Sequence, residues 1–481
     1  MDYLRGHGAL IPTIKIKDIT SDKNNKAILH RIKNNDPSFC KIHVTLCPPG
    51  ATESQSVYCA TDAFELEWLG HFIGRNKHLK KLVLRDYPEG EEAVDNNFSR
   101  QIASLHRGVS QNTSIKVIAF EGINLFGNEL SQLSPFFASN SELIRIKFEI
   151  CSFMGESADQ FASILENRAT NTLNCFELLR CVLDDDSLAE IFGALRIRPQ
   201  PELIELNLSC STFGRKSHME LSNLLRLPSL TRLQKLNLFD IRLNDTAIDL
   251  LTFAIADNGQ MKIRTLDISL NPSITPRGYR ALSTLLERQN CNLEVLDLSC
   301  NNICDEGIIS ISRSLVKNRS LVALYLGRNP GISAARGWAA ISHALCDTSS
   351  VNGTFLSNHT LQHVHNPCWG YMRRLPSDLL SSLKLNKNRN KKQVAINKIL
   401  MHHDELNMNP FFKWELKMLP LVIEWFDRAN DCERISKASL KEKKLSAIFQ
   451  VVSNMPQLVA FYLFVQELRL SGACICLPMG T

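Results

Sequence analysis

Apolar residues recur along this chain in a fixed frame of three, as in Leu203/Leu206/Leu208, Leu233/Leu236/Leu238, Ile263/Leu266/Ile268 and Leu293/Leu296/Leu298, each set starting 30 residues after the last. The frame also holds at Leu79/Leu82/Leu84, Ile115/Ile118/Phe120, Leu143/Ile146/Phe148, Leu173/Phe176/Leu178 and Leu321/Leu324/Leu326, which makes nine repeats. Start-to-start spacings run 36, 28, 30, 30, 30, 30, 30 and 28, so one longer insertion separates the first two. A degenerate copy at Phe39/Ile42/Val44 precedes them, and the run Val351–Leu356 is expected to close the array as an eroded copy. Terminal units of that kind shield the apolar ends of a repeat stack.

After each frame the apolar period lengthens from two to 3.6, as in Thr246 to Ile255 and Gly307 to Leu315, so every unit is predicted to be one strand followed by one helix. Asn244 with its neighbours and the run Asp184, Asp185, Asp186, Ser187 supply side-chain oxygens for helix N-termini, and Asn258-Gly259 supplies a stop. One such strand cannot bury its inward residues alone. Successive strands therefore stack in parallel with helices outside, which predicts an α/β solenoid curved as a right-handed horseshoe. The expected boundaries are an N-terminal segment at 1–38, a solenoid of about 9–11 repeats at 39–362, a basic linker at 363–395, a helical region at 396–470 and a tail at 471–481.

The units Leu293 to Ile303 and Leu321 to Ile332, with Asn301 and Asn329 after the frame, resemble the ribonuclease-inhibitor-like class of leucine-rich repeats. The resemblance covers about residues 39–362 and implies the horseshoe above and a role in gripping other proteins, because the class includes inhibitors, innate-sensing receptors and GTPase-activating proteins. Fold alone does not choose among these. In that class a buried Asn bonds neighbouring loop backbones. Here Asn stands at that position only at 271, 301 and 329, whereas earlier units carry Tyr87, Ile123, Cys151, Cys181, Ser211 and Ile241, so looser N-terminal loops are expected.

Composition narrows the class further. Hydrophobic residues make up 44% and charged residues 22%, which fits a folded chain and excludes wholesale disorder. Met1 to Pro12 offers no apolar run of signal-peptide length, and Leu458 to Val465 is too short to span a bilayer. A cytoplasmic protein without a membrane anchor is expected. Fifteen cysteines without an export signal are expected to be reduced thiols. The pairs Cys300/Cys304 and Cys474/Cys476 lack the second half of a zinc site.

The net charge is +6, and it is uneven. From 363 onward there are 17 Lys+Arg against 10 Asp+Glu, leaving 38 against 39 before that point. Five basic residues fall between Lys384 and Lys392. A solvated linker explains them better than a nucleic-acid patch, although a nuclear-import role is compatible with them. Leu375 to Leu380 faintly resembles the start of an F-box, in the wrong order relative to the repeats. Amphipathic stretches follow near 391–403, 410–428 and 438–453, the middle one loaded with Phe411, Phe412, Trp414, Trp425 and Phe426. The segment from Asn409 to Asp427 is similar to tails of uncharacterised leucine-rich-repeat proteins of microbial eukaryotes.

The residue between the second and third frame positions faces the hollow side, which aligns Val83, Ala119, Lys147, Glu177, Asn207, Asn237, Asp267, Asp297 and Tyr325 in one column. Basic flanks come first and acidic ones later. Lys147, Glu177, Asn207, Asn237, Phe239, Asp267, Asp297 and Tyr325 are the candidate contacts for a protein ligand, with aromatic anchors for affinity and charge for selection. No phosphate loop, HExxH helix or GxSxG turn is present. His402-His403-Asp404-Glu405 cannot converge from consecutive positions, and the pair Asp267/Asp297 lies in an open groove without a desolvated pocket. The expectation is a scaffold or receptor without catalysis, cofactor or metal. Alternatives are an accessory regulator of a GTPase, implied by the resemblance, and a substrate receptor of a ubiquitin ligase.

Overall fold

The computed structural model describes residues 14–45, 56–85, 97–126, 129–168, 170–368, 371–372, 375–403 and, farther on, 424, 441–442 and 444–445. Tyr87, the 411–426 aromatic run, nearly all of the expected 396–470 helical region and the 471–481 tail lie outside these residues.

All nine frames form strands of one parallel sheet, and every frame residue is buried in a single continuous core. The strands run in chain order from Lys81–Arg85 to Ala323–Tyr325, and each is followed by a helix that packs on the next helix along the array. Alternation of buried and partly exposed residues within strands, as in Arg145–Glu149, puts the frame residues inward and leaves the residues between them on the hollow side. The fold is the leucine-rich-repeat solenoid that the periodicity predicts.

Helix starts use the expected side chains. Asp184 accepts from the Ser187 amide at 2.7 Å and Asn244 from the Ala247 amide at 3.0 Å. Asn258 ends helix Asp245–Asp257 and turns its amide on the carbonyls of Leu225 and Leu227, at 3.0 and 2.7 Å. The unit is thereby stitched to its predecessor.

Two amide ladders run along the array. Asn271, Asn301 and Asn329 form the expected one on the loop side: Asn301 takes the Asn271 amide and donates to Ile268 O, while Asn329 takes the amides of Asn301 and Ile303. Upstream its place is held by weaker sulfur and hydroxyl contacts, such as Cys151 Sγ on Phe120 O at 3.4 Å and Ser211 Oγ on Leu178 O at 3.4 Å. A second ladder lies before the strands. Asn76 donates to Ile32 O, Asn112 to Ile73 O and Asn76 O, Asn140 to Ile115 O, Asn318 to Leu286 O and Asn358 to Leu315 O. The N-terminal units are therefore pinned on the edge opposite to the one expected.

Both ends depart from expectation. The degenerate first copy forms strand Lys41–Thr45, with Ile42 and Val44 buried, but Val57–Cys59 pairs outside it and occupies the sheet edge. Helix Lys23–Lys33 buries Ile28, Leu29 and Ile32 against that end.

At the other end, Val351–Leu356 is a helix and not a strand. Ser350 caps it through the Gly353 amide, and Val351, Phe355 and Leu356 stay exposed. The closing strand is His363–His365, paired with Ala323–Tyr325 and anchored by buried Leu361 and Val364. Two flanking histidines and a missing third apolar residue hide it in the sequence.

The expected linker at 363–395 is corrected accordingly. It supplies this twelfth strand, helix Ser377–Asn386 with Leu379 and Leu383 in the core, and the start of helix Lys391–His402. Its charges are compatible with folding because Lys384, Lys387, Arg389 and Lys392 all face solvent. One lysine does not. Lys398 is fully buried and donates to Asn358 O at 2.9 Å, to Leu345 O, and to His359 Nδ1 at 3.2 Å, three acceptors for one ammonium. Among the described residues no helix is long and apolar enough to cross a membrane.

Candidate functional site

The expected column is one unbroken register line across the sheet. Val83 lies opposite Ala119, then follow Lys147, Glu177, Asn207, Asn237, Asp267, Asp297 and Tyr325, each the direct partner of the next. The line continues to His43 before Val83 and to His365 after Tyr325. Sequence reasoning missed His365 because its strand lacked the third frame residue.

Exposure divides this line. Val83 and Ala119 are fully buried, so the open part begins at Lys147. Glu177, a candidate contact, is only 8% exposed, and its carboxylate stands 3.9 Å from the Arg145 guanidinium, which also lies 3.6 Å from Glu205. Burial raises the Glu177 carboxyl above its ordinary range, an effect that Arg145 and Lys147 offset only in part. Glu177 thus serves as an internal counter-charge, a role that the column alone did not reveal.

The N-terminal half is neutralised from within. Arg85 holds Glu121 through Nε at 2.9 Å, and Lys147 holds Glu149. Burial draws His43 down to about 4, helped by Lys41 and Arg85, so its ring is neutral at ordinary pH.

The middle and C-terminal half carries short polar side chains with a shared local task. Asn207 Oδ1 accepts from the Ser209 amide at 3.3 Å, Asn237 from the Phe239 amide at 2.9 Å, Asp267 from the Ser269 amide at 3.0 Å and Asp297 from the Ser299 amide at 2.9 Å. Each closes an Asx turn that ends its strand. This also fixes Phe239, half-buried just beyond strand Lys235–Asn237. At the end of the line Tyr325 and His365 stack with ring centroids 4.3 Å apart and planes 12° apart, and His363 follows at 5.9 Å.

Among the described residues no three His, Cys, Asp or Glu side chains gather as a metal ion requires, and the described cysteines, Cys300 and Cys304 included, are free thiols. His403 bonds to Thr354 Oγ1 at 2.8 Å, while Asp404 and Glu405 lie outside the described residues.

A family model described as leucine rich repeat matches residues 259–283 and 289–312, the two units that present Asp267 and Asp297. No curated protein sequence matches the chain. Among solved structures, the leucine-rich repeat-containing protein LegL7 from Legionella pneumophila is similar at 13% identity over 72% of this chain and 97% of that one, with a TM-score of 0.34. A chain from the complex of Rad7 and Elc1 in yeast is similar at 13% identity over 68% and 87%, with a TM-score of 0.30.

Proposed function

We propose that this chain is a non-catalytic, cytoplasmic interaction scaffold that needs no cofactor and grips a protein ligand along the open line from Lys147 to His365. The contacts proposed are Lys147, Asn207, Asn237, Phe239, Asp267, Asp297 and Tyr325, with Glu177 holding Arg145 in place.

The observation that carries this reading is the register line itself. Seven strand-to-strand steps separate Lys147 from His365, roughly 34 Å at the usual strand spacing. A face of that length, rigid in backbone and polar in side chain, suits a folded or extended protein segment better than a small molecule, which needs a concave and mainly apolar pocket. A folded protein chain is also favoured over nucleic acid, because the open end of the line carries Asp267 and Asp297 where phosphates would be repelled.

Affinity capture from a cell lysate tests it. The full chain and a variant with Lys147→Glu, Asp267→Lys and Asp297→Lys are compared by mass spectrometry of the bound proteins. The variant is expected to lose the specific partners while unfolding within a few degrees of the parent. Equal capture by both would remove the concave face from the proposal. Recovery of a GTPase, or of ubiquitin-ligase subunits, would favour the corresponding alternative role for the same face.

A further inference from the structure

The same Asx turn is built four times along the line, twice with asparagine and twice with aspartate. Asn207 and Asn237 show that a neutral amide suffices for it. The fold therefore does not require the negative charges at 267 and 297, and among the described residues neither carboxylate has an ion-pair partner, although the His365 ring favours the Asp297 charge from a distance. This contrasts with Glu121, Glu149, Glu177 and Glu205 on the same sheet, each of which faces an arginine or lysine.

The two aspartates are direct partners in register, so like charges stand side by side at a cost that a cation between them would remove. Burial and the Asp267 charge push the Asp297 carboxyl up, while the Ser299 amide and hydroxyl and the His365 ring draw it down. Next in register come two rings stacked on each other, Tyr325 beside Asp297 and His365 beyond it, so that the Tyr325 face turned away from His365 is the one nearest the aspartates. A planar cation can lie on such a face and present its N–H groups sideways to carboxylates, which a guanidinium does and an ammonium does less well.

Building on the concave-face reading, we infer that Asp267, Asp297, Tyr325 and His365 form a seat for an arginine side chain carried by the protein ligand. The guanidinium stacks on the Tyr325 face turned away from His365 and donates to the two carboxylates, leaving their bonds to Ser269 and Ser299 in place. The partner is accordingly a protein with an exposed arginine in a segment free to run along the strands' edge-to-edge direction.

Fluorescence anisotropy of the full chain tests this with three labelled octapeptides in which glycine alternates with arginine, lysine or citrulline. Citrulline keeps the shape of arginine and drops its charge. The arginine peptide is expected to bind, the lysine peptide several-fold more weakly and the citrulline peptide at least tenfold more weakly. Asp267→Asn with Asp297→Asn preserves both turns and should weaken the arginine peptide at least tenfold. Tyr325→Leu should weaken it several-fold and erase the preference over lysine. Absence of arginine-peptide binding, equal citrulline binding, or unchanged binding by the double Asn variant would each overturn the inference. Loss of lysate capture in the Lys147/Asp267/Asp297 reversal combined with full capture by the double Asn variant would keep the concave-face reading and reject the arginine seat.

Discussion

Asp245 occupies the space that a side chain on Gly278 would need, since a Cβ there would lie 2.7 Å from Asp245 Oδ1. The carboxylate comes that close because it caps a helix other than its own. It accepts from the Thr275 and Gly278 amides, at 2.8 and 3.1 Å, at the start of helix Pro276–Leu286. Asp185 does the same for helix Arg215–Leu225 through the amides of Gly214, Lys216 and Ser217, and Asp305 accepts from the Ser333 amide and hydroxyl. The device recurs every 60 residues, in alternate units.

Gly278→Ala is therefore expected to destabilise the chain by about 1–3 kcal/mol through overpacking, although Gly to Ala inside a helix ordinarily stabilises by up to about 1 kcal/mol. Urea unfolding measures it. Adding Asp245→Ser should recover part of the loss; purely additive effects of the two changes would show that the carboxylate is not the obstacle.

A pH dependence follows from the same caps. Burial pushes the Asp185 carboxyl up, but the Ser217 hydroxyl and the amides of Ser217, Lys216 and Gly214 outweigh it and hold the group at about 2. Asp245 and Asp305 are lowered in the same sense. A carboxylate whose folded pKa lies below its unfolded value of about 4 stabilises fully above that pH and loses the contribution as pH falls towards the folded value. Urea midpoints should thus fall between pH 5 and pH 2.5, less steeply in Asp185→Asn. Parallel curves for the two proteins would count against the cap.

Seven non-glycine residues, Ile150, Arg180, Cys210, Asp240, Leu270, Cys300 and Arg328, adopt left-handed backbone just after their strands. The first six donate their amides to the next unit, as Ile150 does to Leu179 O at 2.8 Å. Ile150 is β-branched and 46% exposed, so it keeps the strain and little packing in return. Ile150→Gly should stabilise by about 1 kcal/mol, seen as a higher urea midpoint; a lower one would mean that the exposed side chain packs after all.

The two ladders predict where amides exchange slowly. Loops at Ile123, Cys151, Cys181 and Ser211 should exchange faster than those from Ile241 onward, because Asn271 reaches back to the amides of Ile241 and Leu243. Asn112→Ala and Asn301→Ala should each cost about 2–4 kcal/mol, since each strips partners from several buried backbone groups. Hydrogen exchange resolved by residue, with unfolding of the two variants, checks both; uniform loop exchange would contradict the first expectation.

The second ladder was legible and overlooked. Asn76, Asn112, Asn140, Asn318 and Asn358 each stand three residues before the buried Leu or Ile that opens a frame, while Thr170, Gln200, Leu230 and Gln260 hold that place in the units from 173 to 263. The strand at His363–His365 was harder to see, because two histidines surround its one inward valine and its identity rests on pairing with Ala323–Tyr325. Likewise the burial of Glu177 depends on Arg145 of the neighbouring strand, which no single unit discloses.

By itself the sequence determined the unit, its strand and helix, the buried frame and the line of residues between the frames, because alternation and helical periodicity are local patterns that burial enforces unit by unit. Only the tertiary structure decided which charges on that line are answered. Ion pairing and capping act over a few ångströms between residues about thirty positions apart, and stacking sets those distances: it brings Arg145 to Glu177 and Asp245 to Gly278, and it sets Asp267 beside Asp297 in register.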